Sequence, residues 1–364
     1  MDWKNALKKN ITRADELQDI LHLNSAQTTQ LDHILDKFPM SIPEYYLSLI
    51  NWEDKDDPVR KMCIPSIEET DLSGDFDTSG EGDNTKMTGL QHKYHETALI
   101  LSTHQCAMYC RHCFRKRLVG VSTEETTGNI DLMADYVRSH TEISNVLISG
   151  GDAFLNSNRI IEHYLKLFTE IDHLDFIRFG TRTPVVLPMR IYDDPELLDI
   201  LETYNNKKQI YVVTQFNHPN ELTEDAKRAV SALTHRGIIV RNQTVLLKGV
   251  NDNGKILGTL LKEMTRSGIV PYYIFQCRPV TGVKNQFQVP LLAGCQIVEE
   301  AKAMQNGQGK CIRYAMSHRT GKIEILGTLE DNKMLFKYHQ AKNDGDKGKI
   351  FTLSLTPDQT WLEE

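Results

Sequence analysis

The sequence predicts an α/β fold: a partial (β/α)6 barrel with an N-terminal helical extension and a β-rich C-terminal tail. Two observations carry this. From about residue 97, six short apolar runs of the kind that form buried parallel strands alternate with longer helix-like stretches. After residue 310 the alternation gives way to closely spaced strand-like runs. At 364 residues the chain is long for one average domain and ordinary for a barrel with extensions.

In chain order, residues 1–92 form the extension. LQDILHL, LDHILDKF and PEYYLSLINW each place apolar residues three or four apart, the helical period. Residues 67–92 are acidic, rich in Gly, Ser and Thr and weakly periodic, which predicts a long loop or linker that could cover the site. Residues 93–310 form the barrel, with strands at TALILST, NVLISG, FIRFGT, QIYVVTQF, IIVRNQTVLL and PYYIFQ. Helix-like ADYVRSH, IIEHYLKLF, DPELLDILETY, EDAKRAVSALTH and KILGTLLKEMT lie between them. Gln215, Asn217, Gln276 and Arg278 stand at strand ends, where the reacting groups of such folds collect, and Gln243 lies within a strand. Residues 311–364 contain RYAMSH, KIEILG, MLFKYHQ and KIFTLSL, a β-rich segment rather than another barrel unit.

Composition excludes several classes of function. With 40% hydrophobic and 25% charged residues, and no apolar run near the roughly 18 residues of a membrane span, no membrane role is expected. The start, MDWKNALKKNITRADELQ, lacks the apolar stretch and cleavage site of a secretory signal, so the protein reads as cytoplasmic. A net charge of -7 gives no general attraction for nucleic acid, and the basic run from Arg115 to Gly120 needs another explanation. Seven cysteines, three of them within eight residues, argue against a secreted disulfide framework. Cys63, Cys277, Cys295 and Cys311 read as ordinary thiols.

The three close cysteines carry the chemistry. In STHQCAMYCRHCFRKR, Cys106, Cys110 and Cys113 form a CxxxCxxC array directly after the first barrel strand. Three thiolates can hold a [4Fe-4S] cluster and leave one iron open. That iron can chelate the amino and carboxylate groups of S-adenosyl-L-methionine (SAM), and the reduced cluster can cleave the sulfonium to a 5'-deoxyadenosyl radical. The barrel is then of the radical SAM type. His112 leaves a Cys3His zinc knuckle as the alternative, with poor spacing for one tetrahedral ion. SGGDA follows the second strand: Gly150 and Gly151 allow close backbone approach to a ligand and Asp152 can orient polar groups, a pointer to the SAM amino group.

INWEDKDDPVR, CAMYCRHCFRKR, LISGGDA, GTRTPVVLP, FNHPNE, NQTVLLKGVND and PYYIFQC run from about residue 50 to 280. Together they resemble the lysine 2,3-aminomutases and their relatives, radical SAM isomerases that also use pyridoxal 5'-phosphate (PLP). The resemblance implies abstraction of a β-hydrogen from an amino acid held on PLP, then migration of its amino group to the neighbouring carbon. It nominates Lys322, after Gly321, as the PLP lysine, although the family's glycine run is replaced by Ser317, His318, Arg319 and Thr320. The chemistry of these four residues suits contacts to the phosphate. Arg115 matches the arginine that binds the substrate α-carboxylate, and Lys93 and Tyr94 match positions near PLP. Thr97 stands where the family has a second arginine. Gln243 matches a SAM-contacting glutamine, and Gln215 takes the place of a histidine. His218 reads as packed. A reductant such as flavodoxin or ferredoxin is the implied electron donor.

Two departures concern the substrate. The lysine enzymes hold the distant ammonium with two aspartates, and here those positions are Arg278 and Ala315. An ammonium facing Arg278 in a partly desolvated pocket would cost on the order of several kcal/mol. An acidic amino acid is therefore favoured, glutamate ahead of aspartate, unless Arg278 pairs internally with an acid such as Glu324. Asn253 replaces a zinc-binding cysteine, so no zinc site is expected and a homo-oligomer is left open. The alternatives are a lysine 2,3-aminomutase, a PLP-free radical SAM enzyme, and a non-catalytic metal-binding protein.

Overall fold

The computed structural model describes residues 3–121, 125–126 and 128–363. Twelve strands follow one another across a single sheet in chain order. They are β1 (Thr85–Met87), β2 (Leu90–Tyr94), β3 (Thr97–Thr103), β4 (Asn145–Gly150), β5 (Phe176–Gly180), β6 (Ile210–Thr214), β7 (Ile239–Leu246), β8 (Val270–Gln276), β9 (Arg313–His318), β10 (Gly321–Thr328), β11 (Lys333–Ala341) and β12 (Ile350–Ser354). From β3 to β8 every neighbouring pair is parallel, which gives the six barrel strands read from the sequence.

Each crossover helix buries one stripe on this sheet. Asn158–Thr169 buries Ile161, Tyr164, Leu165 and Phe168, a spacing of three, one and three that lines one helical face. Its first turn is capped by the Ser157 side chain, which accepts from the Ile160 N–H. Gly254–Arg266 is capped by Asn253, whose side chain accepts from the N–H groups of Lys255 and Ile256 at 2.9 and 3.2 Å. The residue at the family's zinc position is thus a helix cap. Among the described residues no helix is long and apolar enough to cross a membrane.

Two elements differ from the sequence reading. The helix Leu291–Ala303 leads into β9, which pairs parallel to β8, so the first strand of the tail extends the parallel region by one. That helix buries Leu291, Gly294, Cys295, Val298 and Ala301, a stripe of mostly small residues that carries little apolar signal. From β9 onward the pairings are antiparallel.

The second difference is the acidic stretch 67–92, which is not a free loop. It contains a 3-10 turn at Ile67–Thr70, a helical turn at Glu81–Asn84, β1 and the start of β2. Asp75 N–H donates to Pro279 O at 3.0 Å and Gly282 N–H to Asp71 O at 3.2 Å, which fastens the stretch to the loop after β8. Its acids are counter-ions for the basic run beyond the cysteines. Glu69, fully buried, accepts from Arg111 Nε at 2.8 Å and also pairs with Lys116. Glu81 accepts from Arg115 Nε at 2.9 Å and pairs with Arg117. Burial alone would raise the Glu69 carboxyl, but Arg111 and then Lys116 outweigh it and hold it below its ordinary value.

Neutralising Glu69 strands two buried cations. Glu69→Gln should therefore destabilise the protein by about 3–5 kcal/mol in urea unfolding. Glu68→Gln, one residue away and exposed, should leave the midpoint unchanged within error.

Candidate active site

The loop after β3 carries Cys106, Cys110 and Cys113 and is tied down from outside the barrel. Tyr109 N–H donates to Ser41 O at 3.0 Å and Arg111 N–H to Met62 O at 2.9 Å. Burial pushes the Cys106 thiol well up, and Asp152, Cys113 and Cys110 push it further. Cys113 rises to about 11 by burial and the nearness of Cys110. Desolvation and the neighbouring thiols oppose ionisation of Cys106 and Cys113 unless a cation sits beside them, which is the compensation that cluster iron would supply. The donor set fits a cluster bound by three thiolates. His112 Nε2 is engaged elsewhere, meeting Gln215 Nε2 at 3.0 Å and Asn217 Nδ2 at 3.3 Å.

The SGGDA loop after β4 packs against the approach to Cys106. A Cβ on Gly150, whose φ is +105°, would stand 2.5 Å from Thr103 O, and one on Gly151 would stand 2.2 Å from Gln105 O. Both glycines are thus required by backbone contact with the cysteine loop. Asp152 is buried, and its two oxygens accept from Thr181 Oγ1, Thr183 Oγ1, Phe154 N and Arg182 N. These bonds join the loops after β4 and β5, so Asp152 acts on any ligand through the loop it holds.

Inside the barrel, Lys322 on β10 stands across from Ser317 on β9. Its Nζ lies 4.5 Å from the Tyr273 ring centroid, 5.7 Å from that of Phe275 and 5.9 Å from that of Tyr94. Burial, and then Arg178, Arg278, Lys93 and Arg313, lower the amine to about 7. Lys93 is likewise lowered to about 7, by burial and then Arg278, and its Nζ donates to His318 O at 2.8 Å and Ser79 O at 3.0 Å. Burial raises the Tyr94 phenol to about 12. An amine about half neutral at pH 7, walled by aromatic rings and near several cations, fits a lysine that condenses with a carbonyl beside an anionic group such as the PLP phosphate.

Arg115 and Arg278 both approach Phe114: their guanidinium carbons lie 4.6 and 4.2 Å from its ring centroid. Arg115 uses Nε on Glu81 and directs Nη1 toward Ser149 Oγ at 3.4 Å and Gly150 O at 3.5 Å. Its Nη2 has no protein hydrogen bond among the described residues. Glu324 pairs with Arg313 at 3.7 Å, and among the described residues no carboxylate is within ion-pair distance of Arg278. The internal Arg278–Glu324 pair is therefore not formed. Arg319 pairs with Asp75 at 3.1 Å, and His318 Nδ1 and Thr320 Oγ1 lie 2.8 Å apart within the turn. Gln243 is half-buried on β7, in register with Tyr273. His218 accepts from the Asn220 N–H at 3.2 Å, the packed role expected of it.

Sequence reasoning missed Glu81, Arg178 and Arg182. Glu81 was hidden in a stretch that read as solvated, and Arg178 looks like any alternating strand residue. Arg182, in GTRTPVVLP, brings Nη1 to 2.8 Å from Cys110 Sγ; its position just past a strand end was the one available signal.

Comparison with known proteins agrees with this geometry. The Radical SAM superfamily matches residues 100–256. The L-lysine 2,3-aminomutase of Acetoanaerobium sticklandii is 38% identical over 84% of this chain and 73% of its own length. The enzyme of the same name from Clostridium subterminale is 37% identical over the same shares. The glutamate 2,3-aminomutase of Clostridioides difficile (strain 630) is 36% identical over 84% of this chain and 72% of its own. The chain belongs to the radical SAM superfamily and, within it, to the lysine 2,3-aminomutase-like family of isomerases, which use a [4Fe-4S] cluster, SAM and PLP.

Proposed function

We propose that the protein is a cytoplasmic PLP-dependent radical SAM 2,3-aminomutase that moves the α-amino group of an acidic amino acid, glutamate ahead of aspartate, to the β-carbon. The observation that carries the substrate class is Arg278: its guanidinium lies against Phe114, and among the described residues no carboxylate stands within ion-pair distance of it. Burial and the neighbouring Arg115 lower Arg278, while Glu81 opposes them. A substrate side-chain carboxylate would supply the missing anion, and a substrate ammonium would add one more cation to a crowded set.

In this reading Cys106, Cys110 and Cys113 hold the cluster, and Gly150, Gly151, Gln215 and Gln243 line the SAM side. The bound cofactors supply the radical and the π-system over which it spreads. Lys322 carries PLP, with Lys93 and Tyr94 beside it. Arg115 offers Nη2 to the substrate α-carboxylate while Glu81 fixes its Nε edge, so the amino acid is gripped at both ends and its β-carbon is held in one place. The aromatic wall of Tyr94, Tyr273 and Phe275 excludes water from the reacting carbons. A flavodoxin or ferredoxin is the class of reductant proposed.

Lysine is the second reading, favoured by one feature. Glu324 stands directly across from Ala315 in the β9–β10 pairing and returns a carboxylate to that face. Its partner is Arg313, which leaves the local balance without a spare negative charge.

Two experiments test the proposal. Trapping PLP on the apoprotein with borohydride should label Lys322, with labelling that rises with pH through a midpoint near 7 because only the neutral amine reacts. Peptide mapping checks this, and unchanged labelling in Lys322→Ala would remove Lys322 from its role. Anaerobic turnover of single amino acids, followed by NMR, should give the β-isomer of glutamate. Arg278→Ala should then lower kcat/KM for glutamate by about 2–5 kcal/mol of transition-state stabilisation. Rapid isomerisation of lysine with glutamate inert would overturn the acidic substrate.

A further inference from the structure

We propose that Arg182 sets the reduction potential of the cluster through Cys110, with Glu221 as the balancing charge. Arg182 stands just past β5, and each of its donors is committed. Nε donates to Gln215 O at 3.0 Å, Nη1 to Cys110 Sγ at 2.8 Å, and Nη2 to Glu221 and to Tyr46 Oη, the latter at 3.3 Å. The backbone N–H donates to Asp152 at 2.7 Å. The side chain is 9% exposed and that of Glu221 is fully buried. Glu221 is itself saturated, accepting from Tyr46 Oη at 2.6 Å, Asn217 N at 2.6 Å and His218 N at 3.1 Å.

This network has a direction. A hydrogen bond and a positive charge at a ligand sulfur favour the reduced cluster, which carries one more electron, and so raise its potential. Among the described residues Arg182 is the guanidinium hydrogen-bonded to a cysteine sulfur of the array, and Cys110 is the sulfur it reaches. Glu221 sits on the far edge of the same guanidinium and offsets part of its field. Lysine could not replace the arginine without loss, because a point charge cannot address a sulfur, a carbonyl and a carboxylate along three fixed directions. Arg182 does not touch SAM or substrate in this account. It is a positioning residue that acts through Cys110.

The inference rests on Cys110 as a cluster ligand, and the test keeps the two claims apart. Reconstituted holoenzyme is titrated anaerobically against redox mediators, with the reduced cluster read by EPR and loading checked by iron analysis. Arg182→Gln should lower the reduced-to-oxidised ratio at a fixed ambient potential about tenfold, which for a one-electron couple is about 59 mV. Glu221→Gln should move the midpoint the opposite way, since it removes the balancing charge and leaves the guanidinium. Tyr46→Phe, which deletes two hydrogen bonds of the same network without changing charge, should leave the midpoint in place. A merely structural role would not give opposite signs for two charge-removing variants. Midpoints that stay put, or move together, in fully loaded Arg182→Gln and Glu221→Gln would overturn the proposal. Should Arg182→Gln fail to load iron, Arg182→Met is the second charge-removing variant to set against Glu221→Gln. Cys110→Ser with full iron content and an unaltered EPR signal would instead overturn the ligand assignment.

Discussion

Two buried carboxylates, Glu69 and Glu81, neutralise the cations that accompany the cysteine loop, and much of the site's geometry depends on that pairing. Arg111, Arg115 and Lys116 are nearly or fully buried, and none could remain there without a partner. Their partners come from residues 34–47 positions earlier in the chain. A buried ion pair adds little net stability over a well-packed apolar pair, yet breaking one is costly. Its effect here is to restrict the loop to one arrangement. Lys116 also donates to Gly282 O at 3.2 Å, which connects the cysteine loop to the segment carrying Arg278. Cluster side and substrate side are thereby braced by one set of charges.

The lumen is organised by an excess of positive charge. Arg178, Arg278, Lys93 and Arg313 act on Lys322, while Glu324 is paired with Arg313 and Glu81 with Arg115 and Arg117. Together with burial, these cations lower the Lys322 amine to about 7, and they favour anions in the space beside it. The unfolded chain binds more protons than the folded one between the depressed value of about 7 and the ordinary 10.5, so stability rises with pH across that window. Bound anions reverse part of this by shielding the repulsion. The apoprotein therefore stores unfavourable electrostatic energy that ligands of the right charge relieve.

Legibility followed the kind of signal each element carries. TALILST and NVLISG, continuous apolar runs bounded by polar stretches, match β3 and β4 end to end. The amphipathic helices were equally plain. Leu291–Ala303 was not, because a stripe of Gly, Cys and Ala has the helical period without its hydrophobic contrast. The acidic stretch misled for the opposite reason: Asp, Glu, Gly and Ser in such density read as solvated chain, and the cations that bury two of those acids are distant in sequence. At the site, CxxxCxxC has a spacing that chemistry constrains, so it was readable. Arg182 and Arg178 act through direction and burial, which a one-dimensional pattern does not contain.

The glycine pair shows why the cofactor end was more legible than the substrate end. Gly150 and Gly151 were read as places where backbone nears a ligand, but the tightest approach is to Thr103 and Gln105, immediately before Cys106. Asp152 then carries the connection to Thr181, Thr183 and the Arg182 N–H, and Arg182 returns it to Cys110. The loops after β3, β4 and β5 thus interlock through backbone and short polar contacts that tolerate little substitution. The proposed substrate end is built from long side chains, Arg278 after β8, Arg313 on β9, and Lys322 and Glu324 on β10. One exchange there, such as alanine at position 315 facing glutamate at 324, changes the charge a substrate meets without moving a strand. An unchanged scaffold that generates the radical can therefore serve different amino acids, and membership of the family constrains the first far more than the second.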